Sequence, residues 1–410
     1  FGVRISNQIF KYFDWNGKCN KFFLVLIPSS DEVSATKVVF YGLSTEGYSL
    51  ACQMAIKGAD VHIIDESTPS AISLKAEIAK TYPNVSSLKE DEPLLSMEPI
   101  DVAISKAEYL FFTPRIRKTG QDTKTEIHSK FKDATSTLKK GSSVINNLPT
   151  GFGGNNENIS LLEHVTGFEV GKSISYFYYP VGVITQHPNV IGSYNSKQDS
   201  KLADLLTSGK KEKKFVAIPS AEHFHAINTL SRFSALCSVL EVCKFAQDST
   251  KSDLISDEYQ NLFLDDMVSG LYDLKSLGSS FEGANTLMYL INGSIKGIDG
   301  YIKRLIDEIR TTLKKNDLKA SRTKIVLSWT IDQHEMRGDK IEMLQNLISR
   351  LRDYIGDVET HEGPNLDIFH NDKTTIIVAC SKLDFENLKK NKKDAEIIII
   401  KTNPLCEIIQ

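Results

Sequence analysis

The sequence predicts an α/β protein with an N-terminal parallel-sheet domain, a helical middle domain and a smaller C-terminal α/β domain. Three observations predict this order. A strand, a helix and a second strand follow one another from Lys37, which is typical of a βαβ unit with parallel strands. Helical periodicity then dominates the middle of the chain, and strands alternate with a helix again near its end.

The first domain is expected over residues 36–205. Lys37–Tyr41 is an apolar run that predicts a buried strand. A helix over Glu46–Lys57 ends at Gly58, and a second strand over Val61–Ile64 ends at Asp65. The alternation continues with four strand candidates and one polar helix: Tyr109–Phe112, Thr125–Leu138, Ser143–Ile145, Ile174–Tyr179 and Val190–Ile191.

The middle domain is expected over residues 215–318 and the third domain over 319–410. Ser220 is the predicted N-cap of a long helix, with helical spacing of Phe224, Ile227, Leu230, Phe233, Leu236, Leu240 and Cys243. The third domain contains predicted strands at Lys324–Trp329, Thr375–Ala379 and Glu396–Ile400, and a helix that ends at Gly356. Two lysine-rich stretches, 210–214 and 389–393, are expected as solvated loops. Residues 1–35 are expected to be either a native N-terminal appendage or upstream sequence included in the reading frame, and the sequence leaves both alternatives open.

Composition excludes several classes of protein. The 410 residues are 41% hydrophobic and 25% charged, with a net charge of −3. This balance is typical of a globular protein and argues against a nucleic-acid or anionic-membrane partner. No apolar run approaches the length of a membrane helix. The six cysteines form no CxxC pair, so neither a disulfide framework nor a zinc site is expected, and a cytoplasmic location is the simpler prediction.

Residues Gly42–Gly47 form a candidate dinucleotide-binding loop. They lie between a strand and a helix, as a G-x-G-x-x-G loop does, and such loops hold a pyrophosphate against backbone N–H groups. Asp65 ends the next strand and is placed to accept hydrogen bonds from the adenosine ribose, which favours NAD over NADP. Ser44 replaces the second Gly, and Glu46 adds a negative charge beside the phosphates. The alternative is a βαβ unit that holds no cofactor.

The order of motifs resembles that of the nucleotide-sugar dehydrogenase family, the UDP-glucose and GDP-mannose dehydrogenases. The similarity spans roughly residues 37–400, and each motif alone is short. The segments that carry it are Ala107–Pro114, Val144–Gly151, Val190–Gly192, Ala221–Glu222, Gly278–Gly283, Lys324–Trp329 and Met336–Arg337. The resemblance implies NAD as cofactor, a nucleotide sugar as substrate and a homodimer. It also implies cofactor contacts at Thr113, Pro114, Asn147 and Pro149, and a sugar-nucleotide contact at Arg337.

The catalytic positions that the resemblance implies are replaced. The family's Cys nucleophile falls at or near Asn285, its Lys on His225 and its Asn on Thr229. Its Pro-Glu pair becomes Pro180-Val181. An amide cannot form a thioester, so the family's covalent route is not expected unless a cysteine distant in sequence reaches the site.

His225 and Thr229 lie four residues apart and share one helix face. His225 is a candidate general base for a two-electron alcohol oxidation, and the alternative is a buried structural histidine. His223 points to another side of the helix, so no metal pair is expected. Two functions stay open: an NAD-dependent oxidoreductase acting on a nucleotide sugar or related alcohol without the Cys mechanism, or a non-catalytic nucleotide- or partner-binding relative. A third hypothesis, a structural protein that binds no nucleotide, is weaker.

Overall fold

A computed structural model describes residues 35–91, 95, 97–118, 122–182, 189–207, 212–245, 259, 261–281, 285–363, 374–391 and 397–409. The chain divides into two units, Phe1–Thr36, most of which lies outside the described residues, and Lys37–Gln410. The second unit has the α/β architecture that the sequence predicts, with a large and a small sheet and helices between them.

The large sheet contains nine strands within the described residues, in the order β4-β3-β2-β1-β5-β6-β7-β8-β9. Strands β1, β2, β5, β6 and β7 run parallel. The pairs β2–β3, β3–β4 and β7–β8 are antiparallel. The strands are β1 Lys37–Tyr41, β2 Asp60–Ile64, β3 Ser70–Leu74, β4 Met97–Pro99, β5 Tyr109–Phe112, β6 Ser143–Asn146, β7 Ser175–Tyr178, β8 Val190–Ser193 and β9 Lys214–Ala217. Strands β2 to β4 lie on one flank of β1, and β5 and the later strands lie on its other flank. The strand order therefore reverses between β1 and β5. Ligands bind at such a topological switch point in open α/β folds.

Helices cover both faces of this sheet. They are α1 Thr45–Ile56, α2 Ala76–Thr81, α3 Val85–Glu90, α4 Ile100–Lys106, α5 Asp122–Thr135, α6 Gly154–Thr166 and α7 Ser200–Leu206. Alternate residues of one strand enter different cores: Val38 and Phe40 pack on one face, and Val39 and Tyr41 on the other. A strand that is buried on both faces has a continuous apolar sequence, which is why β1 was predicted with its observed bounds.

Two long and two short helices lead from the large to the small sheet. They are α8 Ile218–Val242, α9 Leu264–Val268, α10 Leu271–Gly278 and α11 Thr286–Lys315. The small sheet has the strand order β11-β10-β12-β13-β14 in the described part of the chain. Its elements are β10 Thr323–Ser328, α12 Asp339–Arg352, β11 Val358–His361, β12 Thr374–Ala379, α13 Lys382–Asn391, β13 Ile397–Lys401 and β14 Ile408–Ile409. One buried cluster contains side chains of α8, α11 and the small sheet together.

Three local predictions were wrong. Helix α8 begins at Ile218 after the N-cap Ala217, with Pro219 in its first turn, so Ser220 is not the cap; Pro fits the first turn because its missing N–H would have no partner there. Lys214 begins strand β9 instead of closing a loop. Residues 389–391 belong to α13, whereas 208–211 and 392–396 lie outside the described residues. Within the described chain, no helix is both long and apolar enough to cross a membrane.

Candidate functional site

The loop Gly42–Gly47 has the backbone geometry of a strand-to-helix turn. Gly42 has φ +108°, and a side chain there would collide with the backbone of Thr113 and Pro114, so only glycine fits. Ser44 is the N-cap of α1, and its Oγ accepts a hydrogen bond from the Gly47 N–H at 3.2 Å. Gly47 packs against the Thr113 side chain. The predicted loop is therefore present, with its serine used as a helix cap.

The outer side of this loop is covered by residues 333–338, which we call the covering segment. The Thr45 N–H donates to the His334 carbonyl oxygen at 2.9 Å. Glu46 accepts the Met336 N–H at 2.9 Å and pairs with Arg337 at 3.3 Å. Ser44 is fully buried. A pyrophosphate would have to compete with these contacts for the N-terminus of α1.

Asp65 ends β2 as predicted, but its carboxylate is already bound to cations. It lies 2.7 Å from Arg115 and 2.8 Å from Lys89, and it accepts two hydrogen bonds from Ser67. Burial alone would raise the pKa of Asp65, but Lys89, Ser67 and Arg115 together lower it to about 2. The oxygens that would accept ribose hydroxyls are engaged within the protein.

We expect Asp65→Asn to lower the free energy of unfolding by about 2 kcal/mol at pH 7, because the folded pKa of about 2 lies well below the ordinary value of 3.8. The folded pKa is depressed, so the stabilisation is complete above 3.8 and is lost as pH falls through about 2. Urea unfolding of both proteins between pH 7 and pH 2 measures this. The gap between wild type and variant should shrink below about pH 4, while exposed Glu90→Gln should show no comparable gap; a gap of equal size at every pH would contradict the ion-pair explanation.

A buried polar cluster lies next to the covered loop. Arg337 donates to Asp273 through Nε at 2.6 Å and to the Val181 carbonyl oxygen. His225 Nε2 lies 3.3 Å from the second oxygen of Asp273. Burial would raise the pKa of Asp273, but Arg337 and His225 hold it below its ordinary value. Likewise, burial opposes the charge of Arg337, but Asp273 and Glu46 raise its pKa. The arginine is therefore a permanent cation inside the fold.

Thr229 shares the helix face of His225 as predicted, and its Oγ1 is buried without a hydrogen-bond partner among the described residues. Asn285 has a different role: it is the exposed N-cap of α11, and its Oδ1 accepts the Met288 N–H at 2.9 Å. The structure thus links His225 to Arg337 through Asp273 and leaves Thr229 one turn further along the same helix. It gives Asn285 a capping role.

An open cleft of about 1040 Å³ lies beside the covered loop, at the carboxyl ends of β5 and β6. Its walls come from the segment after β5, from helix α5, from the loop 148–154, and from α10 and the start of α12. The cationic lining residues are Arg117, Lys118, Lys124, Lys275 and Arg337. The acidic lining residues are Glu157, Asp339 and Glu342, and the apolar part includes Ile116, Ile127, Leu148, Phe152 and Tyr272. None of the cysteines in the described ranges lines this cleft, and Cys19 lies outside those ranges.

Glu222 supports the wall of this cleft from behind. Its buried carboxylate accepts the Gly153 N–H at 2.9 Å, the Asn155 N–H at 3.3 Å and the Asn155 side-chain amide at 2.7 Å. These donors belong to the N-terminus of α6, where a negative charge is favourable. The sequence places Glu222 in a motif, but its role as the cap of another helix depends on contacts across the chain.

The predicted cofactor contacts fall into two groups. Pro149 lines the cleft. Thr113, Pro114 and Asn147 are buried beneath the loops, and Asn147 donates its side-chain amide to the Tyr179 carbonyl oxygen at 2.8 Å. Arg337 lines the cleft and was predicted from the sequence as a ligand contact. The other residues of the two sites were not singled out: Asp273, Arg115, Arg117, Lys118, Lys124 and Lys275. A lone Asp in an amphipathic helix carries no local signal, because its importance comes from Arg337, 64 positions later.

The residues around the predicted NAD site do not fit NAD in this conformation. The Thr45 and Gly47 N–H groups and the Asp65 carboxylate are all engaged by the protein itself. Glu46 places a carboxylate in the first turn of α1, where it would repel the negative charge of a pyrophosphate. The geometry of the loop therefore supports no step of a hydride transfer.

The fold and cleft define an α/β protein of the nucleotide-sugar dehydrogenase fold. No protein-family model and no curated protein sequence matches the chain. Among solved structures it resembles UDP-D-ManNAc dehydrogenase from Pyrococcus horikoshii, with a TM-score of 0.64 and 16% identity over 90% of this chain and 96% of that one. It also resembles a UDP-glucose dehydrogenase from Pyrobaculum islandicum, with a TM-score of 0.60 and 14% identity over 92% and 96% of the two chains. A third is NDP-N-acetyl-D-galactosaminuronic acid dehydrogenase from Methanosarcina mazei Go1, with a TM-score of 0.54 and 12% identity over 91% and 92%.

Proposed function

We propose that this protein is a non-catalytic relative of the nucleotide-sugar dehydrogenases that binds a nucleotide sugar, or a similar phosphate-bearing ligand, in the open cleft. The observation that carries the proposal is the contrast between two neighbouring sites. The cleft is open and rich in cations, whereas the dinucleotide loop beside it is covered by the chain itself. Retention of one site without the other favours binding over hydride transfer.

The chemistry of the cleft suits a ligand with a charged and an apolar part. Five cationic residues line the cleft against the three acids Glu157, Asp339 and Glu342. Lys124 pairs with Glu157, and Lys275 pairs with Glu342. The excess of cations attracts phosphate oxygens. Phe152 and Tyr272 add aromatic surface against which a base or sugar ring can pack. A volume of about 1040 Å³ is ample for a ligand of this size.

Calorimetric titration with UDP and UDP-glucose tests this proposal. We expect binding that weakens as salt is raised, because part of it is ionic. Replacing both Lys118 and Lys275 with Met should weaken binding roughly tenfold, which corresponds to about 1.4 kcal/mol. The matched control replaces two exposed lysines outside the cleft, Lys139 and Lys172. No binding at millimolar concentrations, or equal binding by both double variants, would remove the cleft as the ligand site.

A second candidate function is an NAD-dependent oxidoreductase acting on a CH–OH group of a nucleotide sugar or related alcohol. The observation in its favour is the His225–Asp273 pair, in which a carboxylate orients a buried histidine, as in many general bases. This function requires NADH to form when NAD and a UDP-sugar are supplied together, and it requires His225→Ala to abolish that signal. The first proposal expects no NADH from the wild-type protein under the same conditions.

We also propose that the protein forms a homodimer in the cytoplasm. Helices α8 and α11 pack together, and their outer sides expose several large apolar residues: Phe224, Ile227, Val242, Tyr289 and Leu290. Large apolar side chains exposed along two packed helices suit a helical interface with a second copy, and a mass measurement in solution tests the assignment.

A further inference from the structure

The covering segment, residues 333–338, is bound to the large-sheet part of the protein by a series of backbone hydrogen bonds. Two of its carbonyl oxygens, those of Gln333 and Glu335, accept hydrogen bonds from Arg117 at 2.8 Å each. The Met336 carbonyl oxygen accepts the Ile116 N–H at 2.7 Å. Together with the Thr45 and Glu46 contacts, successive backbone groups of the segment are used by one neighbouring surface.

Two side chains and one close backbone approach anchor the segment. Met336 is fully buried and belongs to the same core as Val38 and Phe40 of β1. The Arg337 side chain is 3% exposed and is held by Asp273 and Glu46. Gly338, with φ +74°, lies so close to the Ile116 carbonyl oxygen that a side chain would collide with it. Buried apolar, ionic and backbone contacts therefore coincide in one short stretch.

The receiving surface is matched to this occupant and not to a nucleotide. Glu46 attracts a backbone N–H and a guanidinium, but it would repel a phosphate. Arg115 lies between Asp65 and His334, 2.7 Å from the carboxylate and 3.4 Å from the imidazole Nδ1. Removing the segment would deprive Glu46 of the Met336 N–H and of Arg337. It would also deprive Arg115 of the His334 imidazole, and the Thr45 N–H of the His334 carbonyl oxygen.

We infer that the covering segment takes the place of a dinucleotide at the loop Gly42–Gly47. The segment permanently holds the small-sheet part of the protein against the N-terminal end of α1 without any cofactor. The His334 carbonyl oxygen accepts the hydrogen bond from the Thr45 N–H, which an anion at the N-terminus of α1 would otherwise accept. Glu46 holds the next turn of the segment, and Met336 fixes it in the core. The loop Gly42–Gly47 thus serves as a docking site for the protein's own chain.

Hydrogen exchange and NAD titration of the whole protein test this inference. Glu46→Ala removes the acceptor of the Met336 N–H and one partner of Arg337. It should raise the exchange rates of peptides covering 42–48, 115–118 and 333–338 together, by at least about tenfold. Glu90→Ala, on the exposed end of α3, should leave all three unchanged. Arg117→Met, which loses the bonds to Gln333 and Glu335, is a second variant in case Glu46→Ala does not fold.

NAD at millimolar concentrations should shift the melting temperature of neither the wild-type protein nor Glu46→Ala. Glu46→Ala is the stringent case, because it removes the repelling charge and loosens the segment. NAD binding by either protein would overturn the inference, since the segment would then be a movable cover over a working site. Exchange that rises in one of the three peptides alone would also overturn it, because loss of these contacts frees the segment and the surface that it covers together.

Discussion

Replacing Arg337 with Met should lower the free energy of unfolding by about 3–5 kcal/mol, the usual cost of breaking a buried ion pair from one side. The guanidinium is 3% exposed and binds Asp273, Glu46 and the Val181 carbonyl oxygen. Methionine fills much of the same space but leaves the Asp273 carboxylate, which is 1% exposed, without its guanidinium partner. Denaturant unfolding monitored by circular dichroism measures the loss.

Two further variants separate charge from volume at this position. Arg337→Met combined with Asp273→Asn removes both charges, so the pair should be less destabilised than Arg337→Met alone. Arg352→Met, at the exposed end of α12, controls for loss of a positive charge and should change stability by less than about 0.5 kcal/mol. If Arg337→Met cost less than about 1 kcal/mol, the buried network would have little energetic importance.

Replacing Glu222 with Ala should lower the free energy of unfolding by about 3 kcal/mol, because a buried carboxylate that accepts three hydrogen bonds is lost. The same change leaves the N-terminus of α6 uncapped. Since residues 150–154 form a wall of the cleft, UDP affinity should also fall. Unfolding and calorimetric titration of the same sample measure the two effects.

Glu241, near the other end of the same helix, provides the control for Glu222. It lies on the same helix, but its side chain is 45% exposed and pairs only with Lys244 among the contacts described. Glu241→Ala should therefore change stability by less than about 0.5 kcal/mol. Glu222→Gln retains one acceptor oxygen and should fall between the two, whereas a Gln variant as unstable as the Ala variant would show that the negative charge, and not the hydrogen bonding, is what matters.

Parallel strands could be predicted from the sequence because both of their faces are buried. β1 at Lys37–Tyr41 and β12 at Thr374–Ala379 appear in the sequence as continuous apolar runs. Strands towards the two ends of the large sheet gave no such pattern. β3 at Ser70–Leu74 mixes serines with apolar residues, and β9 at Lys214–Ala217 follows a lysine-rich stretch, so their pairing is decided by neighbours distant in sequence.

The candidate site was predictable only in its local part. The loop Gly42–Gly47 and Asp65 follow from turn geometry and spacing, and both lie where the sequence places them. What covers them does not follow, because Arg115 and His334 are 219 positions apart. The role of Asn285 as a helix N-cap did have a local signal, since Asn is favoured at that position; the resemblance to another protein's motif outweighed it.

The position of Met336 has a consequence for the order in which the protein is made. Its backbone N–H bonds to Glu46 across 290 positions, and its side chain completes the core around β1. On the ribosome, the nine-stranded part emerges long before this residue does. Domains usually fold in order of synthesis. Here the core of the large sheet stays incomplete, with apolar side chains exposed, until Met336 has been synthesised. Nascent chains of this protein should therefore depend on chaperones until translation passes residue 338.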